Sequence, residues 1–141
     1  MSIATPLEII KSKKVKRVVL DSITLFEYAC FPEQTSYRRE VLDFVSKMRE
    51  VGVTLVATAE KSVSNIDEID YKPEDFLFDG LIILTKVRKS SSFEHCIMVA
   101  KMRGQDHLID IFPLTIGKGG IKVFPKELPF SLIEQDTQKF K

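Results

Sequence analysis

Residues 17–22 read Arg-Val-Val-Leu-Asp-Ser, and this stretch decides the fold. The run Arg17 to Leu20 is short, apolar and β-branched, the composition of a strand buried on both faces of a parallel sheet. It stops abruptly at Asp21-Ser22. An Asp at the end of such a strand sits at the rim where α/β proteins bind ligands. An Asp that merely caps a turn fits the same short pattern equally well.

Outward from this strand, the flanking segments predict helices. Upstream, Thr5-Pro6-Leu7-Glu8 carries an N-cap, a proline suited to the first helical position and a capping-box Glu. Lys11, Lys13 and Lys14 follow, where a helix C-terminus favours cations. Downstream, residues 36–50 predict a longer helix. Val41, Leu42, Val45 and Met48 mark its inner face, while Arg38, Arg39, Glu40, Lys47 and Arg49 mark its outer one. Gly52 ends it, and Val53 to Thr58 predicts a second buried strand. Two apolar strands joined by a helix make a βαβ unit with parallel strands.

Beyond residues 61–75, read as a polar surface loop running into a short turn, the pattern changes. Gly80 to Val87 predicts a third strand. Phe93 to Met102, Ile109 to Ile116 and Gly120 to Phe124 predict strands with short polar connections, which implies antiparallel neighbours. The fold class is therefore α/β, a mixed and mainly parallel sheet with antiparallel C-terminal strands. The 141 residues suit a single domain, with 126–141 as a C-terminal tail.

Composition removes several classes. The 21 Lys+Arg against 20 Asp+Glu leave a net charge of +1, so a nucleic-acid partner is not indicated. Hydrophobic residues at 44% and charged ones at 29% give a globular balance. Cys30 and Cys96 form no CxxC pair, which excludes a zinc knuckle and a disulfide framework and points to a reducing cytoplasm. No secretory leader is read at the N-terminus. The longest apolar stretch, Phe76 to Leu84, is broken by Asp79 and falls short of the roughly 20 residues a membrane helix needs.

Three constellations bear chemistry. Asp21 with Ser22 has the residue types that hold Mg²⁺ in phosphate-handling proteins. In Lys101-Met102-Arg103-Gly104-Gln105-Asp106-His107, Lys101 and Arg103 share one strand parity, and His107 adds a third nitrogen donor beyond a permissive glycine. Such donors bind a transferring phosphoryl group, and a solvated basic loop is the plain alternative. Unpaired with carboxylates, they would form an anion site; a bland loop would engage Asp106 or Asp110. Thr58-Ala59-Glu60 closes the second strand at the same rim as Asp21 if the two strands are parallel neighbours, and Glu60 there can orient water or simply cap a loop.

Taken together, these segments resemble the Walker B half of a KaiC-like ATPase of the RecA superfamily. The resemblance runs from Arg17–Ser22 through Gly52–Glu60, Phe78–Leu84 and Lys101–Gly104 to Gly120–Val123, and covers about residues 5–125. It implies a truncated RecA-like core with Asp21 as the Walker B aspartate. It also implies ATP and Mg²⁺ as cofactors, and Lys101, Arg103 and His107 as trans-acting residues that reach a neighbouring subunit's nucleotide. The family's GxxxxGK[ST] loop does not occur in these 141 residues. Tight ATP binding by this chain alone is accordingly not expected. The expected role is that of an assembly subunit or regulator without autonomous hydrolysis, in a homo-oligomer or beside a P-loop-containing KaiC/RecA-like partner. The alternative is the C-terminal fragment of a genuine ATP-binding enzyme, its P-loop half upstream or on another chain. A Mg²⁺-dependent phosphotransfer or nuclease site built from Asp21, Glu60 and Asp79 is the weakest reading, because Asp21 has no acidic neighbour.

Overall fold

The computed structural model describes residues 4–24, 34–61, 71–89 and 91–129. Their order is α1 (Ala4–Ser12), β1 (Arg17–Leu20), α2 (Gln34–Glu50), β2 (Thr54–Ala57), a 3-10 turn (Pro73–Phe76), β3 (Gly80–Lys89), β4 (Ser92–Met102), β5 (Ile111–Gly117) and β6 (Gly120–Val123). The chain divides into two compact units, Met1–Phe78 and Asp79–Lys141. The readings made for Cys30, Pro32 and the tail from Glu134 lie outside the described residues.

In the first unit β1 and β2 pair in parallel, in register from Arg17↔Thr54 to Leu20↔Ala57. Main-chain bonds extend this ladder beyond both ends, from Thr54 N–H to the Lys16 carbonyl (3.0 Å) and from Thr58 N–H to that of Leu20 (3.0 Å). The crossover helix α2 buries Tyr37, Val41 and Val45 together with Ile23, and Leu20, Leu55, Ala57, Phe44, Leu77 and Phe78 pack around them. Each large apolar side chain so covered contributes roughly 1.5–3 kcal/mol. Leu42, expected inside, is half exposed. It lies about 100° around the helix from Val41, off the stripe, and Tyr37 takes the inner place.

The two strands are covered on one face, not both. Val19 and Val56 are register partners on the opposite face and are 70% and 51% exposed. Leu20, Leu55 and Ala57 meet α2, whereas the described residues of this unit supply no second layer over Val19 and Val56.

Both helices end in the same motif. Val15 N–H bonds to the Ile10 carbonyl (3.0 Å), and Val53 N–H to that of Met48 (3.3 Å). Such a bond requires the preceding residue to be left-handed. Gly52 supplies this at φ 70°, while at the end of α1 it falls to Lys14 at φ 52°. At its other end α1 begins at Ala4, so Thr5 and Pro6 lie in its first turn. On the outer face of α2, Asp43 hydrogen-bonds Lys47 and holds its ammonium pKa above the usual lysine value.

The second unit is a four-stranded antiparallel sheet in the order β3-β4-β5-β6. The β3–β4 ladder runs from Gly80↔Met102 to Lys89↔Ser92 with one irregularity between Leu81 and Ile82. β5 pairs with β4 over Met98↔Ile111 to His95↔Leu114, and with β6 through a tight turn closed at Gly117↔Gly120. The mixed α/β class is thus as the sequence reads. The strand at Gly80 joins the antiparallel series, so antiparallel pairs outnumber the single parallel one among the described residues. One face of this sheet is apolar and open at Ile82 and Leu84 on β3 and at the cross-strand pair Ile116↔Ile121. No helix among the described residues is long and apolar enough to cross a membrane.

Candidate functional site

The parallel pair delivers Asp21 and Thr58 to one rim, each one residue past its strand. The main chain there is stitched twice: Thr58 N–H donates to the Leu20 carbonyl (3.0 Å), and Ile23 N–H donates to the Thr58 carbonyl (2.8 Å). The Thr58 hydroxyl donates to Asp21 Oδ1. Two residues on, Glu60 N–H donates to Thr24 Oγ1 (2.9 Å). Ser22 is buried, while Asp21, Thr58 and Glu60 are exposed. The Asp21–Ser22 peptide bond is cis.

Lys61 continues this rim into a clasp. Its ammonium pairs with the carboxylate of Asp75, which also accepts the Lys72 N–H (2.8 Å). Asp75 is only 7% exposed, and the Tyr71 ring lies 5.7 Å from the Lys61 nitrogen. The stretch 61–75, read from sequence as a polar surface loop, therefore holds a buried ion pair at its described ends. A buried carboxylate needs such partners to offset its lost hydration.

The three cations of the second unit are placed differently. Lys101 lies one residue before the end of β4, opposite Leu81, and is partly buried. Arg103 N–H donates to the Asp79 carbonyl (2.7 Å), prolonging the ladder by one step. Its guanidinium faces the Asp79 carboxylate at 3.5 Å, with both side chains more than half exposed. The expectation of an Arg103 unpaired with carboxylates is corrected here: its partner is neither Asp106 nor Asp110 but the residue that its own backbone bonds. Gly104 makes the turn at φ 70° with open space around it, so its conformation rather than crowding calls for glycine. His107 folds onto this turn, its Nδ1 3.5 Å from the Gln105 carbonyl. Its Nε2 is buried, with no hydrogen-bond partner among the described residues.

Asp21, Ser22, Thr58 and Glu60 thus share one rim, while Lys101 and Arg103 share one end of the β3–β4 ladder. Asp79, offered in the weakest sequence reading as a third acid, is engaged with Arg103. Among the described residues no three His, Cys, Asp or Glu side chains are grouped to hold a metal ion. One carboxylate with neighbouring hydroxyls does fit the protein's share of a Mg²⁺–phosphate site, in which water and phosphate fill most positions. The sequence reading places Thr58 at the Asp21 rim, as the parallel register shows, but not the bond its hydroxyl makes there. The Lys61–Asp75 clasp escaped that reading.

A family model described as "ATPase: KaiC" matches residues 3–128. The chain belongs to the KaiC-like ATPase family. It is 37% identical over 122 residues to the circadian clock oscillator protein KaiC of Prochlorococcus marinus, covering 82% of this chain and 23% of that protein. The KaiC of Synechococcus elongatus is 28% identical over 116 residues, with 82% and 22% covered. The chain thus spans less than a quarter of the curated relatives it matches. The crystal structure of a KaiC-like protein from the hyperthermophilic archaeon Pyrococcus horikoshii superposes with a TM-score of 0.75 at 28% identity, over 86% of this chain and 52% of that one. The RecA-like fold read from the sequence is that of a KaiC-like protein.

Proposed function

We propose that this KaiC-like domain does not hydrolyse ATP by itself and acts within an assembly, as a subunit or regulator of a nucleotide site completed by another polypeptide segment. One observation carries the reading. The family match runs through nearly the whole chain, yet no GxxxxGK[ST] loop lies in it. Backbone N–H groups and a lysine from such a loop supply most of the grip on the phosphates. In this reading residues 1–141 make one KaiC-like domain, with 126–141 as its tail.

Asp21, as the Walker B aspartate, would hold Mg²⁺ beside Ser22, and the chemistry supplied there would be neutralisation of phosphoryl charge. Thr58 keeps the Asp21 carboxylate in place. Glu60 orients water at the same rim. Lys101, Arg103 and His107 serve an anion on a neighbouring subunit; Arg103 exchanges the exposed Asp79 for that anion at small cost, since an exposed pair of this kind is worth under ~1 kcal/mol. The partner is a second copy or a P-loop-containing KaiC/RecA-like chain, in the cytoplasm. Open apolar positions in both units support a covering partner: Val19 and Val56 in the first, Ile82 and Leu84 in the second. Parallel strands occur almost only with both faces covered.

A second reading rests on the 52% coverage of the Pyrococcus structure. The chain is then the C-terminal half of an ATP-binding domain whose P-loop half lies upstream or on another chain. Light scattering with and without ATP–Mg²⁺, together with a hydrolysis assay, tests the first reading. The expected results are self-association or nucleotide-dependent assembly, and turnover no higher than that of Asp21→Ala. A compact monomer in both conditions, or turnover clearly above that variant, overturns it.

A further inference from the structure

Thr58 is fixed more tightly than its exposure suggests. Its N–H and its carbonyl bond to Leu20 and Ile23, which bracket Asp21, so its backbone is locked to the segment carrying the aspartate. As a β-branched residue it has a restricted χ1, which aims the hydroxyl. A hydroxyl has one proton to give, and here it goes to Asp21 Oδ1. A carboxylate offers two oxygens, and among the described residues Oδ2 accepts no hydrogen bond.

We propose that Thr58 is the positioning residue of the rim: it fixes Asp21 through Oδ1 and so presents Oδ2, in one orientation, to a divalent cation or a cation-bound water. An exposed aspartate otherwise samples several rotamers and must lose that freedom when it binds. A donor that has already ordered it removes this cost, as the outer partners of metal-binding carboxylates do. The hydrogen bond between Glu60 N–H and Thr24 ties the chain just beyond Thr58 to the same segment, which helps to keep the donor beside its acceptor. The proposal rests on the cation role of Asp21 and is independent of the trans-acting role given to Lys101, Arg103 and His107. Its test reads metal binding by the chain alone. Failure here leaves the assembly reading standing, and the reverse also holds.

The probe is Mn²⁺ without nucleotide, titrated into the ¹⁵N-labelled full chain while paramagnetic broadening is followed at the amides of residues 21–24. The wild type is expected to broaden first at Asp21, and Asp21→Asn to lose the effect. Thr58→Val keeps the shape of the side chain but has no proton to donate, and is expected to need roughly tenfold more Mn²⁺. Thr58→Ser keeps the donor and is expected to stay near wild type. Thr58→Ala serves as a second donor-free variant if the valine disturbs the amide spectrum. Donor-free variants that titrate like wild type overturn the proposal, as does a Thr58→Ser that falls with them. Absence of broadening at Asp21 in the wild type overturns it as well.

Discussion

The rim of the parallel pair and the turn after β4 hold opposite charges and are built in opposite ways. At the rim, Asp21 is tied by a hydroxyl, the Glu60 backbone by Thr24, and Lys61 by a buried carboxylate. At the turn, Arg103 has an exposed partner at 3.5 Å, and His107 reaches a carbonyl only at 3.5 Å. Asp21 is tied by a hydroxyl donor, whereas Arg103 and its carboxylate partner both stay exposed. A group that must meet a metal at about 2 Å gains from being fixed in advance. A group that must reach an anion of another molecule gains from being able to change partners. The two regions differ in how many bonds converge on the charged residue and not in how near it lies to a sequence motif.

The sharpest way to break this contrast is Asp75→Ala. It leaves the Lys61 ammonium largely buried without its carboxylate, a loss of about 3–5 kcal/mol. Urea unfolding followed by circular dichroism checks it, and a change below about 1 kcal/mol would remove the clasp from the account. Next comes Cys96, which shows that the second unit is also held at its centre. Its side chain is fully buried, and burial raises the thiol pKa from 9.0 to about 11. Because burial disfavours the charged form, the thiolate fraction at pH 8 falls about 100-fold. Thiol titration with a disulfide reagent in a Cys30→Ser background should be slow at pH 8 and quicken as the pH nears 11. Reaction at the rate of an exposed thiol would contradict the burial.

A smaller effect separates the two helix ends. Gly52→Ala forces a side chain into a left-handed residue and should lower stability by about 1 kcal/mol. Lys14→Gly relieves the same strain and should raise it by about 0.5 kcal/mol. Thermal melts of both variants check the opposite signs. The smallest effect belongs to Asp79→Asn, which removes an exposed pair and should change stability by less than about 0.5 kcal/mol. A larger loss, measured in the same urea assay, would mean that Arg103 is anchored, and the turn would belong with the rim.

Local pattern was enough to place the elements that position the site. Arg17–Leu20 was bounded to the residue, and the antiparallel strands to within about two residues, because periodicity and turn glycines act over short distances. What escaped depends on register across long gaps. That Tyr37 and not Leu42 faces inward follows from how α2 rotates over β1 and β2. That Thr58 meets Asp21 follows from strand pairing, and that Asp75 is buried follows from Lys61 coming to it. The open faces at Val19 and Val56 were misread because a β-branched run signals a strand suited to burial and not which layers are present to bury it. Arg103 was expected to be unpaired with carboxylates, but the ladder turns it back to Asp79.

The pairing of Thr58 with Asp21 spans 37 positions of sequence, whereas β3 and β4 are joined by a turn of a few residues. Closing a long loop costs more entropy than closing a hairpin, and contacts between distant residues form more slowly. The presented turn can therefore take shape as soon as its hairpin closes. The held carboxylate exists only once β1, α2 and β2 have all come together. The rim is therefore expected to become competent later than the turn.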